Sequence, residues 1–152
     1  VFFKCIYYTL FVVIPFMVID VPWTYFVFGF VVMHLVEGIT LALIFQLAHV
    51  IELTSFPLPD EKGRMEHSWA AHQLHTTANF GCKNDFLNYI AGGLNFQVEH
   101  HLFPTICHVH YKAIAPIVET TAKEYGLPYH NYPRYRDALM SHINILKDFG
   151  KA

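Results

Sequence analysis

Two long apolar stretches fill the first third of the chain and constrain its fold more than any other feature. The first covers residues 1–19 with Lys4 as its only charge, and the second runs from residue 23 to residue 49. At 1.5 Å per residue, each is long enough to cross a hydrocarbon core of about 30 Å. The break at residues 20–22 contains a proline, which cannot continue a helix. We therefore predict an all-α membrane protein in which residues 1–56 form a two-helix transmembrane hairpin.

Composition and charge support a membrane class and give an orientation. Of the 152 residues, 54% are hydrophobic and only 14% are charged. The net charge of −2 and the scattered basic residues give no support to nucleic-acid binding. Apart from Lys4, every Lys and Arg follows Glu52, whereas the turn between the two stretches carries only Asp20. Both ends of the hairpin are therefore expected to face the cytoplasm.

Residues 57–152 are more polar and are predicted to form a helical cytoplasmic cap. Three cysteines without C-x-x-C spacing argue against a disulfide framework or a cysteine-based zinc site. We find no segment with the period of a strand, and Gly92-Gly93 is expected to mark a kink or a close approach. Helices are predicted over residues 66–80, from an Asn84-Asp85 N-cap toward His101, over 111–125 and over 134–149.

Eleven histidines are present, and the most informative pair lies in the cap. Gln97, His100 and His101 stand at positions i, i+3 and i+4, so on a helix they share one face. Adjacent imidazoles about 100° apart around a helix can reach two metal ions, or two sides of one ion. By itself this spacing is a weak signal of a metal site, and the sequence around it decides how it is interpreted.

The sequence around this pair resembles a known family. Gly92-Gly-Leu-Asn-Phe-Gln-Val-Glu-His-His-Leu-Phe-Pro104, followed by Ile114-Ala-Pro-Ile-Val118 and Tyr125-Gly-Leu-Pro-Tyr129, is similar to the C-terminal half of membrane fatty acid desaturases. A glutamine as the first residue of the third histidine box resembles the front-end (delta-5/delta-6-like) subgroup. In that family two earlier histidine boxes come first. We therefore interpret the chain as a C-terminal fragment whose N-terminal half is absent, and we expect it to be inactive alone.

The resemblance implies a site with two iron ions, completed by ligands from the missing half. His100 and His101 are the expected ligands in the box, and His49, at the inner end of the second span, is the expected third. Amide oxygen is a weaker donor than imidazole, so Gln97 is either a weak ligand or a residue that orients one. His72 and Gln46 are placed in the same class. No further catalytic residue is assigned, and the residues that bind substrate are left open. Among the other cap histidines, His75 is expected to be structural or to orient a ligand, and His108 and His110 to cap the next helix or contact the acyl headgroup. The surface is the expected place of His67, His130 and His142.

The function that the resemblance implies is the introduction of a double bond into a long acyl chain. The expected partners are an acyl-CoA or acyl-lipid substrate, dioxygen, an electron donor such as cytochrome b5 or ferredoxin, and the lipid bilayer. The expected location is the bacterial inner membrane or the endoplasmic reticulum, with the histidine box on the cytoplasmic side. Two alternatives stay open: a related membrane di-iron lipid hydroxylase, and a non-catalytic membrane adaptor whose histidines bind structural zinc or nothing. Haem binding is less favoured, because axial histidines usually come from facing helices.

Overall fold

The computed structural model describes residues 1–151 and divides the chain into two units, Val1–Thr40 and Leu41–Ala152. In the first unit, Phe2–Val18 is helical throughout but not uniform. Helix α1 (Phe2–Tyr8) passes through a π-helical turn (Thr9–Val13) into α2 (Ile14–Val18). The π turn directly precedes the first turn of α2, where Pro15 has no N–H to donate back along the helix.

Helix α3 (Trp23–His49) begins in the first unit, ends in the second and has the bounds that the sequence predicted. Among the described residues it is the one helix that is long and apolar enough to cross a membrane, with a mean hydropathy of 2.1. None of its most apolar window is buried inside the protein. The preceding apolar helix, Phe2–Val18, is shorter. The hairpin, and the boundary between it and the cap at residues 56 and 57, stay predictions.

The second unit contains five further helices and two short strands. The helices are α4 (Trp69–Thr76), α5 (Asp85–Ile90), α6 (Gln97–Leu102), α7 (Tyr111–Glu124) and α8 (Tyr135–Phe149), with a 3-10 turn at His108–His110. Strands β1 (Ala78–Phe80) and β2 (His130–Tyr132) pair in parallel, with Asn79 opposite Asn131. The protein is therefore mostly helical, but the prediction that it lacks strands was wrong.

Two small clusters of apolar side chains form the core of this unit. In one, Leu47 and Ala48 near the end of α3 pack with Phe80 of β1 and Ala138 of α8. The other joins α4, α6 and α7 through Leu74, Val98, Val118 and Ala122. Because these clusters include the end of α3 and one side of α6, they bring the two elements that carry the predicted metal ligands into the same unit.

The predicted helix over residues 66–80 is only partly correct. Helix α4 ends at Thr76, and the chain becomes extended at Thr77, which has φ −130° and ψ 153°. Thr77 is β-branched, and residues 78–80 are fully or almost fully buried in the pairing with β2. The tertiary pairing therefore overrides the local helical pattern.

The predicted helix toward His101 is broken into two. Asn84 caps α5 as predicted, because its side chain accepts a hydrogen bond from the main-chain N–H of Leu87 at 3.1 Å. The helix then ends at Ile90, and Gly92 and Gly93 have φ values of 58° and 76°. L-residues with a Cβ rarely adopt this left-handed region, so the glycine pair ends one helix instead of kinking it. A separate helix of six residues, α6, then carries the histidine box.

Candidate metal centre

The end of α3 and helix α6 place two of the predicted ligands side by side. The ring centroids of His49 and His101 are 4.9 Å apart, and the rings are inclined at 69°. When two imidazoles bind one ion through nitrogens at about 2.1 Å and the N–metal–N angle is roughly 90–110°, their ring centroids lie about 4.5–5.3 Å apart. The observed centroid distance of 4.9 Å falls within this range, and it also suits an edge-to-face contact between the two rings.

Hydrogen bonds fix the orientation of both rings. His101 donates through Nδ1 to Oε1 of Gln73 on α4, at 2.8 Å. His49 donates through Nδ1 to the main-chain oxygen of Thr76, the last residue of the same helix, at 3.3 Å. Both acceptors are oxygens without a proton, so in the neutral rings Nε2 keeps its lone pair. Metal-binding histidines are commonly held in this way.

His100, the other histidine of the box, also lies next to His101. Their ring centroids are 5.7 Å apart, and the rings are nearly perpendicular at 87°. Nδ1 of His100 lies 3.3 Å from the hydroxyl of Tyr111, the first residue of α7. The adjacent box histidines are therefore held by different helices, His101 by α4 and His100 by α7.

The main chain around His49 is tied to the rest of the second unit. Thr54 donates through Oγ1 to the main-chain oxygen of His49 at 2.7 Å. Nδ1 of His142 donates to the oxygen of Val50 at 2.6 Å. The expectation that His142 is an ordinary surface residue was therefore wrong, because it is half-buried and joins α8 to the end of α3.

The residues expected to assist ligation are in different environments. Gln97 is 1% exposed, and its Oε1 has no hydrogen-bond partner among the described residues. The same holds for the buried Nδ1 of His72 on α4. Buried polar atoms without a partner are rare in proteins, and an ion or an ion-bound water would satisfy them. Gln46, in contrast, is exposed.

His101 has the electrostatics of a neutral nitrogen donor. Burial, followed by the neighbouring His49 and His100, lowers the pKa of His101 to about 4. Its imidazole is therefore unprotonated near neutral pH, as a metal ligand must be. Within residues 1–151, however, no three His, Cys, Asp or Glu side chains come together as a metal-binding group. Among the described residues, His49 and His101 therefore form a pair of neighbouring nitrogen donors, and nitrogen donors are a type that iron accepts.

Several residues that shape this site were not found from the sequence. Gln73, Thr76 and Tyr111 carry no metal-binding signature, and the folding of α4 and α7 against α6 brings them to the histidines. A second histidine group lies apart from the predicted ligands, where the rings of His67 and His75 stack at 4.5 Å and 10°. His67 is therefore partly covered instead of freely solvated.

The chain is similar to one family of known proteins over most of its length. Residues 2–133 match the family described as fatty acid desaturase. Over 121 residues the chain is 48% identical to an acyl-lipid (8-3)-desaturase of Physcomitrium patens, covering 80% of this chain and 25% of that protein. It is 45% identical over 125 residues to an sn-1 linoleoyl-lipid 6-desaturase of Synechocystis sp., covering 82% and 35% respectively. No solved structure is significantly similar to the chain.

The matched region is a small part of each relative. An acyl-lipid (8-3)-desaturase of Mortierella alpina is 39% identical over 121 residues, and the match covers 80% of this chain but 27% of that protein. The chain therefore spans about a quarter to a third of the length of the curated relatives it matches. With its histidine box and a family match that extends over most of its length, the chain belongs to the fatty acid desaturase family.

Proposed function

We propose that this chain forms the C-terminal part of a membrane di-iron acyl-lipid desaturase, here called the parent enzyme. The observation that carries the proposal is the pairing of His49 and His101 at 4.9 Å, with both Nδ1 atoms donating to oxygen. This arrangement leaves two Nε2 lone pairs for one ion. His100, which contacts Tyr111 of a different helix, is assigned to the second ion.

The residues present fit nitrogen-rich ligation, which iron accepts. His49, His100 and His101 would hold the ions together with ligands from the N-terminal half, and Gln97 and His72 would orient or support them. Bound iron would activate dioxygen, so that one –CH2–CH2– unit, O2, two electrons and two protons give –CH=CH– and two waters. The role of this chain is to fix the rings and, at His101, to keep the imidazole unprotonated.

The names of the relatives favour a particular carrier for the acyl chain. Those of Physcomitrium patens, Mortierella alpina and Synechocystis sp. are named for acyl-lipid or linoleoyl-lipid substrates. We therefore propose an acyl-lipid instead of an acyl-CoA, with a front-end position of the new double bond. The electrons would come from a donor such as cytochrome b5 or ferredoxin.

Replacement of each ligand in the parent enzyme tests the proposal. His49→Ala, His100→Ala and His101→Ala should each abolish unsaturated product and lower the iron content per chain. His110→Ala, at an exposed histidine of the same cap, is the matched control and should keep both. Product masses separate a desaturase from a hydroxylase, because the first removes two hydrogens and the second adds one oxygen. Wild-type product levels in the ligand variants, or zinc in place of iron, would refute the proposal.

The membrane orientation can be tested separately. We propose that the turn after α2 faces away from the cytoplasm and that the histidine box faces the cytoplasmic electron donor. In an enzyme without native cysteines, Val21→Cys should react with an impermeant reagent from the non-cytoplasmic side, and Lys62→Cys only from the cytoplasm. The reverse pattern would separate the box from a cytoplasmic donor and would exclude this arrangement.

A further inference from the structure

Three polar side chains form a hydrogen-bonded cluster next to the histidine box. Nδ2 of Asn79 donates to Oε2 of Glu99 at 2.8 Å, and the hydroxyl of Tyr129 donates to Oε1 of Glu99 at 2.7 Å. Asn79 Nδ2 also lies 2.8 Å from the Tyr129 hydroxyl. The cluster therefore joins β1, α6 and the residue that precedes β2, and each member contacts the other two.

The burial of this cluster is unusual for the protein. Glu99 and Asn79 are both 0% exposed. Among residues 1–151, Glu99 is the one acidic or basic side chain in the buried class, and no Lys, Arg or His of the described chain pairs with it. A buried carboxylate with neutral donors is costly, and an apolar side chain of similar size often gives equal or greater stability. Stability alone is therefore a weak reason for a glutamate at this position.

The same cluster also caps the helix that carries the box. Oδ1 of Asn79 accepts a hydrogen bond from the main-chain N–H of Val98, the second residue of α6, at 2.9 Å. The first N–H groups of a helix have no partner inside it, and the residue before α6, Phe96, provides no side-chain cap. β1 therefore holds α6 at two consecutive residues, Val98 by its main chain and Glu99 by its carboxylate, directly before His100.

We propose that the Asn79–Glu99–Tyr129 cluster is a positioning device that sets the rotation of α6 and with it the directions of His100 and His101. A helix of six residues is too short to be stable alone, so its orientation depends on such contacts. A rotation of about 20° would move the imidazole nitrogens by roughly 2 Å, and displacements of that size disrupt catalytic geometry. The proposal rests on the proposed function, because it assumes that these histidines bind iron.

A reversal of one hydrogen bond tests the device in the parent enzyme. Asn79→Asp keeps the acceptor for Val98 but places two carboxylates in contact, so iron affinity should fall at least tenfold. The double variant Asn79→Asp with Glu99→Gln reverses donor and acceptor and should recover most of that loss. Asn131→Asp, at the exposed residue opposite Asn79 on β2, is the matched control and should leave affinity unchanged.

A second readout separates positioning from stability. The absorption spectrum of the enzyme loaded with Co²⁺ reports ligand geometry, and the thermal midpoint of the metal-free enzyme reports stability. We expect Asn79→Asp to change the spectrum and the double variant to restore it.

If Asn79→Asp does not fold, Tyr129→Phe tests the proposal in its place, with an expected loss of iron affinity of about threefold to tenfold. An unchanged spectrum and affinity in the folded variants, or no recovery in the double variant, would overturn the proposal. A wild-type enzyme without iron would instead refute the proposed function.

Discussion

The imidazole of His101 and the side-chain amide of Gln73 are joined by a hydrogen bond of 2.8 Å between Nδ1 and Oε1. The bond fixes both the tautomer and the ring orientation of His101, which lies on α6, through an acceptor on α4. Gln73 lies 28 residues before His101, so no local pattern links them. The relationship depends on the packing of α4 against α6.

The bond between Gln73 and His101 predicts a specific pair of mutational effects. Gln73→Leu removes the acceptor and should lower the iron affinity of the parent enzyme about 10–100-fold, as is typical for residues that orient metal-bound histidines. Gln73→Glu keeps an acceptor oxygen and should retain most of the iron. The measurement is iron per chain after dialysis against a graded chelator series. Equal iron loss in both variants would show that the Nδ1 bond does not determine ligation.

The glycine pair before α6 predicts unequal effects on stability. At Gly92 an added Cβ meets nothing within 4 Å, so Gly92→Ala should cost only about 1–2 kcal/mol for the positive φ. At Gly93 the added Cβ would lie 2.7 Å from Cβ of His108, so a steric clash adds to the strain. Gly93→Ala should therefore lower the thermal midpoint clearly further. Equal midpoints for the two variants would contradict the close approach between Gly93 and His108.

The largely covered thiol of Cys82 is expected to be alkylated slowly. Burial, and then the charge of Glu99, raise the pKa of Cys82 to about 12. At pH 8 the reactive thiolate is then about one part in ten thousand. Iodoacetamide should modify the exposed Cys107 long before Cys82, as peptide mass spectrometry can follow. Because thiolate increases as pH rises toward the pKa, the Cys82 rate should grow about tenfold per pH unit from 8 to 10. Equal rates in the folded protein would contradict this burial.

The sequence was most informative where a pattern is local. The bounds of α3 follow from a long, predominantly apolar run, and the Asn84 cap follows from a polar residue before a helix. The end of α7 near Gly126, which has φ 66°, was also predicted. Each of these features depends on residues within one or two helical turns. The family resemblance likewise came from a contiguous motif.

The features that were missed depend on contacts between distant segments. Strand β1 forms because His130 and its neighbours supply a partner about 50 residues later in the chain. The role of Asn79 appears only when β1 lies beside α6, and that of His142 only when α8 lies beside Val50. Propensity and periodicity contain no information about such pairings. The His49–His101 pair was expected from the resemblance, whereas its spacing required the fold.

The last prediction concerns Gln97, for which two roles are open: a weak metal ligand, or a residue that orients a ligand. Its side chain is 1% exposed, and Oε1 has no partner among the described residues. Gln97→His supplies a nitrogen donor three residues before His100, on the same face of the helix, so iron and part of the activity should remain. Gln97→Leu has a similar size but leaves no polar atom, and it should lower activity at least tenfold if Oε1 contacts an ion or its water. Iron per chain and unsaturated product should be measured for both variants. Full activity in Gln97→Leu would show that Oε1 does not act at the metal. Complete iron loss in Gln97→His would show that the amide holds a geometry that imidazole cannot adopt.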